Sequence, residues 1–213
     1  MKYYIAGFGG HAKMVYQIAQ ENRIKINGFL DIPLKNKSKA PKSILGLPIV
    51  NITSVKVKSV VFIGLGDNED RTKTYSLLKK KKFELPYLIS KNSLVHKTVK
   101  IGSGTIIFTN VTININAVLK NNIIINTGSI IEHEVLIKNN VNISPGSIIC
   151  GKSIIGENTF IGAGSIVQQN IIIGKNCLIG SGSNVISNIK NKNLVYGNPA
   201  KIRWLDQFVK IIK

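Results

Sequence analysis

Aliphatic residues recur at every sixth position through the second half of the chain. All fifteen positions of the series from Ile101 to Val185 carry Ile, Leu or Val, although only 44% of the whole sequence is hydrophobic. Chance would produce such a run in about one of 10⁵ sequences, so the period reports structure. The series comprises Ile101, Ile107, Ile113, Leu119, Ile125, Ile131, Ile137, Ile143, Ile149, Ile155, Ile161, Val167, Ile173, Ile179 and Val185.

A strict six-residue period predicts one short strand and one corner per repeat. Three repeats then close a triangular coil of 18 residues, and successive coils stack into a parallel β-helix. The residue four positions after each aliphatic one is predicted to point inward as well, and many of these are small or β-branched: Thr105, Val111, Ala117, Ser129, Val135, Ser147, Thr159 and Ser165. Corners with φ > 0 favour glycine, which matches Gly102, Gly104, Gly128, Gly146, Gly156, Gly162, Gly164, Gly174, Gly180 and Gly182.

The first ninety residues follow a different pattern, in which short apolar runs alternate with helical spacing. The predicted strands are Lys2–Ala6, Ile26–Leu30 and Val60–Gly64, and the predicted helices are His11–Gln20 and Arg71–Lys82. This order indicates a small Rossmann-like α/β domain with a parallel sheet. The predicted boundaries are 1–88 for this domain, 89–195 for the β-helix and 196–213 for a C-terminal cap. In the cap, a helix would present one apolar face: Trp204, Leu205, Phe208, Val209 and Ile212.

The net charge of +19 changes the picture less than its size suggests. Residues 1–86 hold 16 Lys and Arg against 6 Asp and Glu, and residues 87–213 hold 13 against 4, so neither half is a basic arm. The excess of Lys, Ile and Asn is typical of biased genome composition, and Lys79–Lys82 fits the solvated end of a helix. Low aromatic content and the lack of a stacking row argue against a nucleic-acid-binding module, the rival from another functional class.

Cysteine usage and hydropathy favour a cytoplasmic protein. Cys150 and Cys177 are too few for a disulfide framework, so reduced thiols are expected. No run approaches 18 apolar residues, and Met1 leads into a strand without a cationic leader. The sequence therefore predicts neither a membrane nor nucleic acid among the partners. A covalent role for Cys150, beside Gly151, lacks a basic partner in the local sequence.

His133 is the residue with the most distinctive setting, in the hexad Ile131–Glu132–His133–Glu134–Val135–Leu136. Since Ile131 and Val135 point inward, His133 must point outward, which excludes a core histidine. It is then either a solvated histidine without function or a general base whose tautomer is fixed by Glu134 or Glu132. Catalysis would also need walls, from a neighbouring prism or from the N-terminal domain.

The glycine-rich run Gly7–Phe8–Gly9–Gly10 precedes a predicted helix, a geometry that can hold a phosphate. Asp31, at the end of the next strand, could bind a ribose hydroxyl. Without the full dinucleotide spacing, the same run could equally be a tight turn that binds nothing. His11 could contact a phosphate or only cap its helix, and Lys13 and Arg71 are diphosphate partners or ordinary surface charges.

Taken together, these motifs resemble the sugar acetyltransferases of the PglD/NeuD family. The resemblance rests on Gly7–Lys13, Gly28–Asp31, Gly64–Arg71, Asn126–Thr127 with Ile131–Glu134, Pro145–Gly146 and Gly197–Lys201. It implies a left-handed β-helix homotrimer that transfers acetyl from acetyl-CoA to the 4-amino group of a nucleotide-linked 4-amino-4,6-dideoxy sugar, UDP-linked first, for bacterial glycan synthesis.

The resemblance also implies the site residues. His133 would be the general base, Glu134 its orienting partner and the Gly151 N–H the oxyanion donor. The residues expected to bind the nucleotide sugar are Gly9, Gly10, His11, Lys13, Asp31, Gly66, Asn68 and Arg71. Those expected to bind acetyl-CoA, in a groove between prisms, are Asn142, Gly151, Gly162, Ala163, Gly180, Ser181 and Pro199. No metal is expected.

Two positions depart from the family pattern. Asn142 stands where a second histidine is frequent, and Ile32 stands where a second acid often follows Asp31. Sialic-acid-type O-acetylation and GDP- or dTDP-linked acceptors are the alternatives on the same fold. A zinc hydratase on the same prism would need His11, His96 and His133 to converge, which a histidine in a separate domain does not allow.

Overall fold

The computed structural model describes residues 1–33 and 40–203. The N-terminal domain contains a five-stranded sheet of order β3-β4-β2-β1-β5, parallel except for the β3–β4 pair. Its strands are β1 (Tyr3–Ala6), β2 (Ile26–Asp31), β3 (Ser43–Ile44), β4 (Leu47–Asn51) and β5 (Val60–Ile63). The helices are α1 (Gly10–Glu21) and α2 (Asn68–Lys80), and a 3₁₀ turn covers Ile52–Ser54. In the described part of the chain, neither α-helix is long and apolar enough to cross a membrane.

Two features of this domain differ from the sequence-based expectation. The β3–β4 hairpin was not anticipated, because its strands are short and largely solvent-facing. Helix α2 begins at Asn68 instead of Arg71, since the Asp67 side chain accepts a hydrogen bond from the Asp70 N–H at 2.9 Å and caps the helix. Its first turn carries Glu69 and Asp70, which complement the helix dipole.

The second part of the chain is the expected left-handed parallel β-helix. Its strands are two or three residues long and form three sides. Side 1 contains Leu88–Ile89, Ile106–Ile107, Ile124–Ile125, Asn142–Ile143, Phe160–Ile161, Leu178–Ile179 and Leu194–Tyr196, with Lys201–Arg203 added antiparallel. Side 2 contains Leu94–Val95, Thr112–Ile113, Ile130–Ile131, Ile148–Ile149, Ile166–Val167 and Asn184–Val185. Side 3 contains Lys100–Ile101, Val118–Leu119, Leu136–Ile137, Ile154–Ile155 and Ile172–Ile173.

The register of the coils confirms the hexad analysis. Ile113 pairs with Ile131 and Ile131 with Ile149, so each coil advances 18 residues. From Ile107 to Val185 every member of the aliphatic series is at most 2% exposed, and together with inward-facing Val135 they form one continuous core. Each buried isoleucine of this ladder contributes about 1.5–3 kcal/mol relative to an exposed one.

The corners explain the glycines by two different causes. A φ near +60° recurs every six residues from Gly104 to Gly182 and is taken mostly by Asn or Gly. Five of the predicted corner glycines have no positive φ and instead sit where coils approach: a Cβ at Gly102, Gly156, Gly162, Gly174 or Gly180 would lie 2.4–2.8 Å from an atom of the next coil. Glu134 and Lys152 are the exceptions at positive φ, at 60° each, and they are stacked on one corner.

The N-terminal domain packs on side 1. Helix α1 lies between the sheet and this side, and a single apolar cluster joins Val15 and Phe62 of the domain to Ile106, Phe108 and Ile124 of the β-helix. Residues 204–213, which contain the predicted cap helix, lie outside the described residues.

Candidate active site

His133 lies on the corner between sides 2 and 3, hereafter the 2–3 corner. Its side chain points outward and is 48% exposed, in agreement with the sequence prediction. This corner is opposite side 1, and no described contact joins His133 to the N-terminal domain. Of the two possible sources of a wall, the domain of the same chain is therefore not the one beside His133.

Glu134 is the carboxylate that pairs with His133. His133 Nδ1 lies 3.1 Å from Glu134 Oε2, whereas Glu132 accepts a hydrogen bond from Asn114 Nδ2 at 3.0 Å, one coil away. Lys152 Nζ lies 3.9 Å from Glu134 Oε2. With Nδ1 directed at a carboxylate, Nε2 is left as the proton-accepting nitrogen of the imidazole.

Gly151 lies one coil after His133 and directly against its ring. A Cβ at Gly151 would be 2.5 Å from His133 Nε2 and 2.6 Å from Cε1. The residue is buried, and its N–H donates no hydrogen bond to any described residue. An uncommitted backbone N–H on a residue packed against the imidazole suits the oxyanion of a tetrahedral intermediate. The signal for this pairing is the 18-residue spacing, which places positions 133 and 151 in one column.

The glycine-rich turn lies at the carboxyl edge of the sheet, where β1 ends and α1 begins. Gly9 and Gly10 are exposed, with no atom within 4 Å of a Cβ at either position. The N-cap at Gly9 has no side-chain hydrogen bond, and the first turn has no acidic residue, so its N–H groups are available to an anion. Lys13 is exposed on the next turn, and half-buried Asp31 ends the adjacent strand β2.

Arg71 does not occupy the position expected of a diphosphate ligand. Only 1% of the residue is exposed, and its guanidinium donates to the carbonyl oxygens of Asn122 (3.3 Å), Asn140 (2.9 Å) and Val141 (3.3 Å) of the β-helix. Within its own domain it bonds Gly66 O at 3.2 Å and Asn68 Oδ1 at 2.8 Å. Burial lowers the pKa of Arg71 to about 10, although nearby Asp67 acts in the opposite direction. Arg71 therefore joins the two domains.

Asn68 and Gly66 also serve this junction. The Asn68 amide donates to Asn158 O at 3.3 Å and Thr159 O at 3.4 Å, and the Gly66 carbonyl accepts from both Arg71 and Asn142. These contacts hold the loop after β5 against the β-helix.

The surroundings of Asn142 and Ile32 explain why the chain departs from the family pattern at these two positions. Asn142 is 6% exposed on side 1, and its amide donates to Gly66 O at 3.2 Å, so it lies in the junction and not in an open groove. The expectation that Asn142 contacts acetyl-CoA does not agree with this burial. Ile32 is 2% exposed and packs in the core beneath the sheet, where a second acid would be desolvated.

His11 lies inside the junction as well. Its ring is tilted against Phe108 of side 1 with centroids 4.9 Å apart, and its Nε2 is buried without a hydrogen-bond partner among the described residues. Burial, reinforced by the nearby Arg71 charge, lowers the pKa of His11 to about 4. The imidazole is therefore neutral at pH 7 and cannot attract a phosphate by charge.

The other residues expected to bind the cofactor lie on the corner between sides 1 and 2. Ala163, Ser181 and Pro199 are exposed there, and Gly162 and Gly180 are held by close contact with the following coil. In one chain, this corner, the glycine-rich turn and the 2–3 corner remain apart. The structure thus brings together His133, Glu134 and Gly151, but not the three parts of the predicted site.

The fold and the comparisons with known proteins together identify this chain as a hexapeptide-repeat acyltransferase. Residues 2–78 match the PglD N-terminal domain, and residues 134–168 and 152–187 match the bacterial transferase hexapeptide (six repeats). The chain therefore combines a PglD N-terminal domain with hexapeptide repeats, which is consistent with the PglD/NeuD-like family.

Solved structures extend this likeness over nearly the whole chain. The acetyltransferase domain of PglB from Neisseria gonorrhoeae FA1090, in complex with acetyl coenzyme A, is 28% identical, with a TM-score of 0.88 over 95% of this chain and 98% of that one. PerB from Caulobacter crescentus, in complex with CoA and GDP-perosamine, is 27% identical, with a TM-score of 0.87 over 96% and 98%. WeeI from Acinetobacter baumannii AYE, at 24% identity and a TM-score of 0.85 over 95% and 100%, shares the fold. No curated protein matches the sequence significantly.

Proposed function

We propose that this protein transfers the acetyl group of acetyl-CoA to the 4-amino group of a nucleotide-linked 4-amino-4,6-dideoxy sugar. The observation that carries the proposal is the His133–Glu134 pair placed over Gly151. Support for the cosubstrate and the acceptor comes from the PglB domain bound to acetyl coenzyme A and from PerB bound to CoA and GDP-perosamine. The sequence resemblance favours UDP as the nucleotide, and the PerB complex makes GDP the second candidate.

The chemistry follows from the geometry. The acceptor nitrogen attacks the thioester carbonyl carbon, and His133 Nε2 removes a proton from that nitrogen while Glu134 stabilises the imidazolium. The Gly151 N–H donates to the oxyanion, the C–S bond then breaks, and the proton on Nε2 passes to the departing sulfur. The products are an amide and CoA with a free thiol. Each of the two devices typically contributes about 10²–10³-fold.

The active site is proposed to be shared between protomers of a homotrimer. His133 faces away from the glycine-rich turn at the carboxyl edge of the sheet in its own chain. A neighbouring chain would therefore supply the sugar-binding domain. The outer rows of sides 2 and 3 suit this packing, since they are mainly aliphatic: Ile130, Ile148 and Ile166 on side 2, and Val118, Leu136, Ile154 and Ile172 on side 3. Of these, Ile172 is 48% exposed in the single chain. Acetyl-CoA would lie in the groove between adjacent prisms, near Ala163, Ser181 and Pro199.

The first test is release of CoA from acetyl-CoA with a panel of UDP-, GDP- and dTDP-linked 4-amino-6-deoxyhexoses and with sialic acid. We expect His133→Ala to keep its fold by circular dichroism and to lose at least about 10²-fold in turnover. Unchanged turnover would refute the assignment, and acetyl found on a hydroxyl would favour the O-acetyltransferase alternative.

Complementation tests the shared site. Gly9→Asp should fold, because Gly9 has a φ of −77° and open space around it, but its carboxylate should repel a diphosphate. Randomly mixed protomers of Gly9→Asp and His133→Ala should regain about one quarter of the wild-type activity, since one in four interfaces pairs two intact halves. A mixture as inactive as either variant would place both halves in one chain.

A further inference from the structure

The amino edge of the N-terminal sheet forms a surface that the acyl transfer does not use. We define it as residues 1–2, 21–25, 45–46, 56–59 and 79–84. Tyr3 of β1 pairs with Ile26 of β2 and Val60 of β5, so these strands begin at one level. The Lys58 N–H donates to Lys82 O at 3.3 Å, which brings the end of α2 to the same edge. The turn at Leu45 precedes β4 beside β2.

This amino edge concentrates positive charge. It holds nine cations: Lys2, Arg23, Lys25, Lys56, Lys58, Lys79, Lys80, Lys81 and Lys82. Its only carboxylates are Glu21 and Glu84, and Glu21 already accepts a hydrogen bond from Ser90 Oγ at 2.7 Å. Biased genome composition accounts for the number of lysines but not for this arrangement, because lysines on the β-helix are dispersed along its coils.

Exposed aliphatic side chains lie among these cations. Met1 is 78% exposed, Val57 62% and Leu45 51%. Val57 is flanked by exposed Lys56 and Lys58 on the turn before β5. The aromatic residue of this edge, Phe83, is 5% exposed, so the surface offers no ring on which a nucleic-acid base could stack.

The amino edge faces away from the glycine-rich turn. The turn lies at the carboxyl ends of the same strands, and the six residues of β2 separate the two edges by about 20 Å. A large partner on the amino edge would therefore leave the nucleotide site open.

The geometry points to the amino edge as a peripheral docking surface for a bilayer of anionic lipids. Lysines attract the negative headgroup layer, and aliphatic side chains on turns between them enter its outer region. Lysine cations without exposed aromatic rings fit a lipid surface better than a nucleic acid. The proposal is independent of the acyl transfer, and it differs from the expectation from the sequence that no membrane is involved.

The test is co-sedimentation of the full chain with vesicles of phosphatidylcholine alone or with about 30% phosphatidylglycerol, at near-physiological salt. We expect binding only to the anionic vesicles. The edge variant Lys56→Gln, Lys58→Gln, Lys81→Gln, Lys82→Gln should lower the partition coefficient by about 100-fold or more. The matched control, Lys91→Gln, Lys97→Gln, Lys100→Gln, Lys120→Gln, removes the same charge from the β-helix and should bind within about 3-fold of the wild type.

Val57→Ser separates insertion from simple charge attraction. We expect it to weaken vesicle binding by about 5-fold while the edge lysines remain. Equal losses in the edge and control variants would show attraction by net charge alone and overturn the proposal. Edge-dependent binding of duplex DNA or RNA without vesicle binding would also overturn it, in favour of a nucleic-acid surface.

Discussion

Replacement of Gly151 by alanine tests how strongly turnover depends on the position of the His133 ring, because the substitution moves the ring without changing the fold. The new Cβ would lie 2.5 Å from Nε2 and 2.6 Å from Cε1, against about 3.5–4 Å for ordinary contacts. The ring must therefore retreat by roughly 1 Å, a misplacement that can cost about 10²-fold in rate. The alanine keeps the N–H, so the loss would report on the imidazole and not on the oxyanion donor.

The same substitution should leave stability almost unchanged. Gly151 has no positive φ, and the displaced His133 side chain is 48% exposed and free to move outward. We expect the free energy of unfolding in urea to change by less than about 1 kcal/mol. Ile115 and Gln169, at the equivalent positions of two other coils, show that this corner accepts larger side chains.

The assay is the turnover number for CoA release, measured for Gly151→Ala, His133→Ala and the double variant. In the His133→Ala background the alanine meets no ring, so the second substitution should cost less than about 3-fold. Turnover of Gly151→Ala within 3-fold of the wild type, or full additivity in the double variant, would refute the proposed contact between Gly151 and His133.

Three other substitutions test the junction and the corners. Arg71→Ala leaves several buried carbonyl groups without a donor and should lower the free energy of unfolding by about 3–5 kcal/mol. The control on the same helix, exposed Lys73→Ala, should lower it by less than about 0.5 kcal/mol. A loss below about 1 kcal/mol for Arg71→Ala would contradict its role in the junction. The pKa of His11 is lowered to about 4, so the unfolded chain binds more protons between pH 4 and 6.5, and stability should fall by as much as about 3 kcal/mol as pH drops through that window. In urea unfolding at pH 5 and pH 7, His11→Gln should reduce this pH dependence of stability. The same pH dependence in the variant and the wild type would show that His11 is not its cause. Asn140 has a φ of 62° and forms hydrogen bonds along its corner with Asn122 and Asn158. In thermal unfolding, Asn140→Ala should therefore lower the free energy of unfolding by about 1–2 kcal/mol more than Asn140→Gly does. The opposite ranking of the two variants would refute the role of φ at this corner.

The β-helix was predictable from the sequence because its burial repeats with a fixed period. Every inward position reports the same environment, so the series from Ile101 to Val185 carries the fold without tertiary information. His133 was predictable as outward for the same reason, since Ile131 and Val135 fix the phase of its strand. The local sequence left Glu134 and Glu132 both open, and only the family resemblance named Glu134. The coordinates supply the physical reason, because Glu132 is engaged by Asn114 from another coil.

The junction between the domains was not predictable in the same way. Arg71 and Asn142 are polar residues in motifs typical of ligand sites, yet their partners are carbonyl groups supplied by distant parts of the chain. The type and spacing of residues predict local structure. The partner of a hydrogen bond between residues about 70 positions apart depends instead on how the two domains pack together. The β3–β4 hairpin escaped for a simpler reason, since its strands bury little and alternate weakly.

The 18-residue coil also sets rules for how the length of this protein can change. Removal or duplication of one whole coil, away from the segment between His133 and Lys152, keeps every later side chain facing the same direction and keeps all hydrogen-bonded rows continuous. Loss of a single residue between His133 and Gly151 turns the following strand inside out and separates the imidazole from its neighbour. Evolution of this chain should therefore tolerate deletions of a whole 18-residue coil outside the site, whereas deletions of one or a few residues within a coil should be excluded.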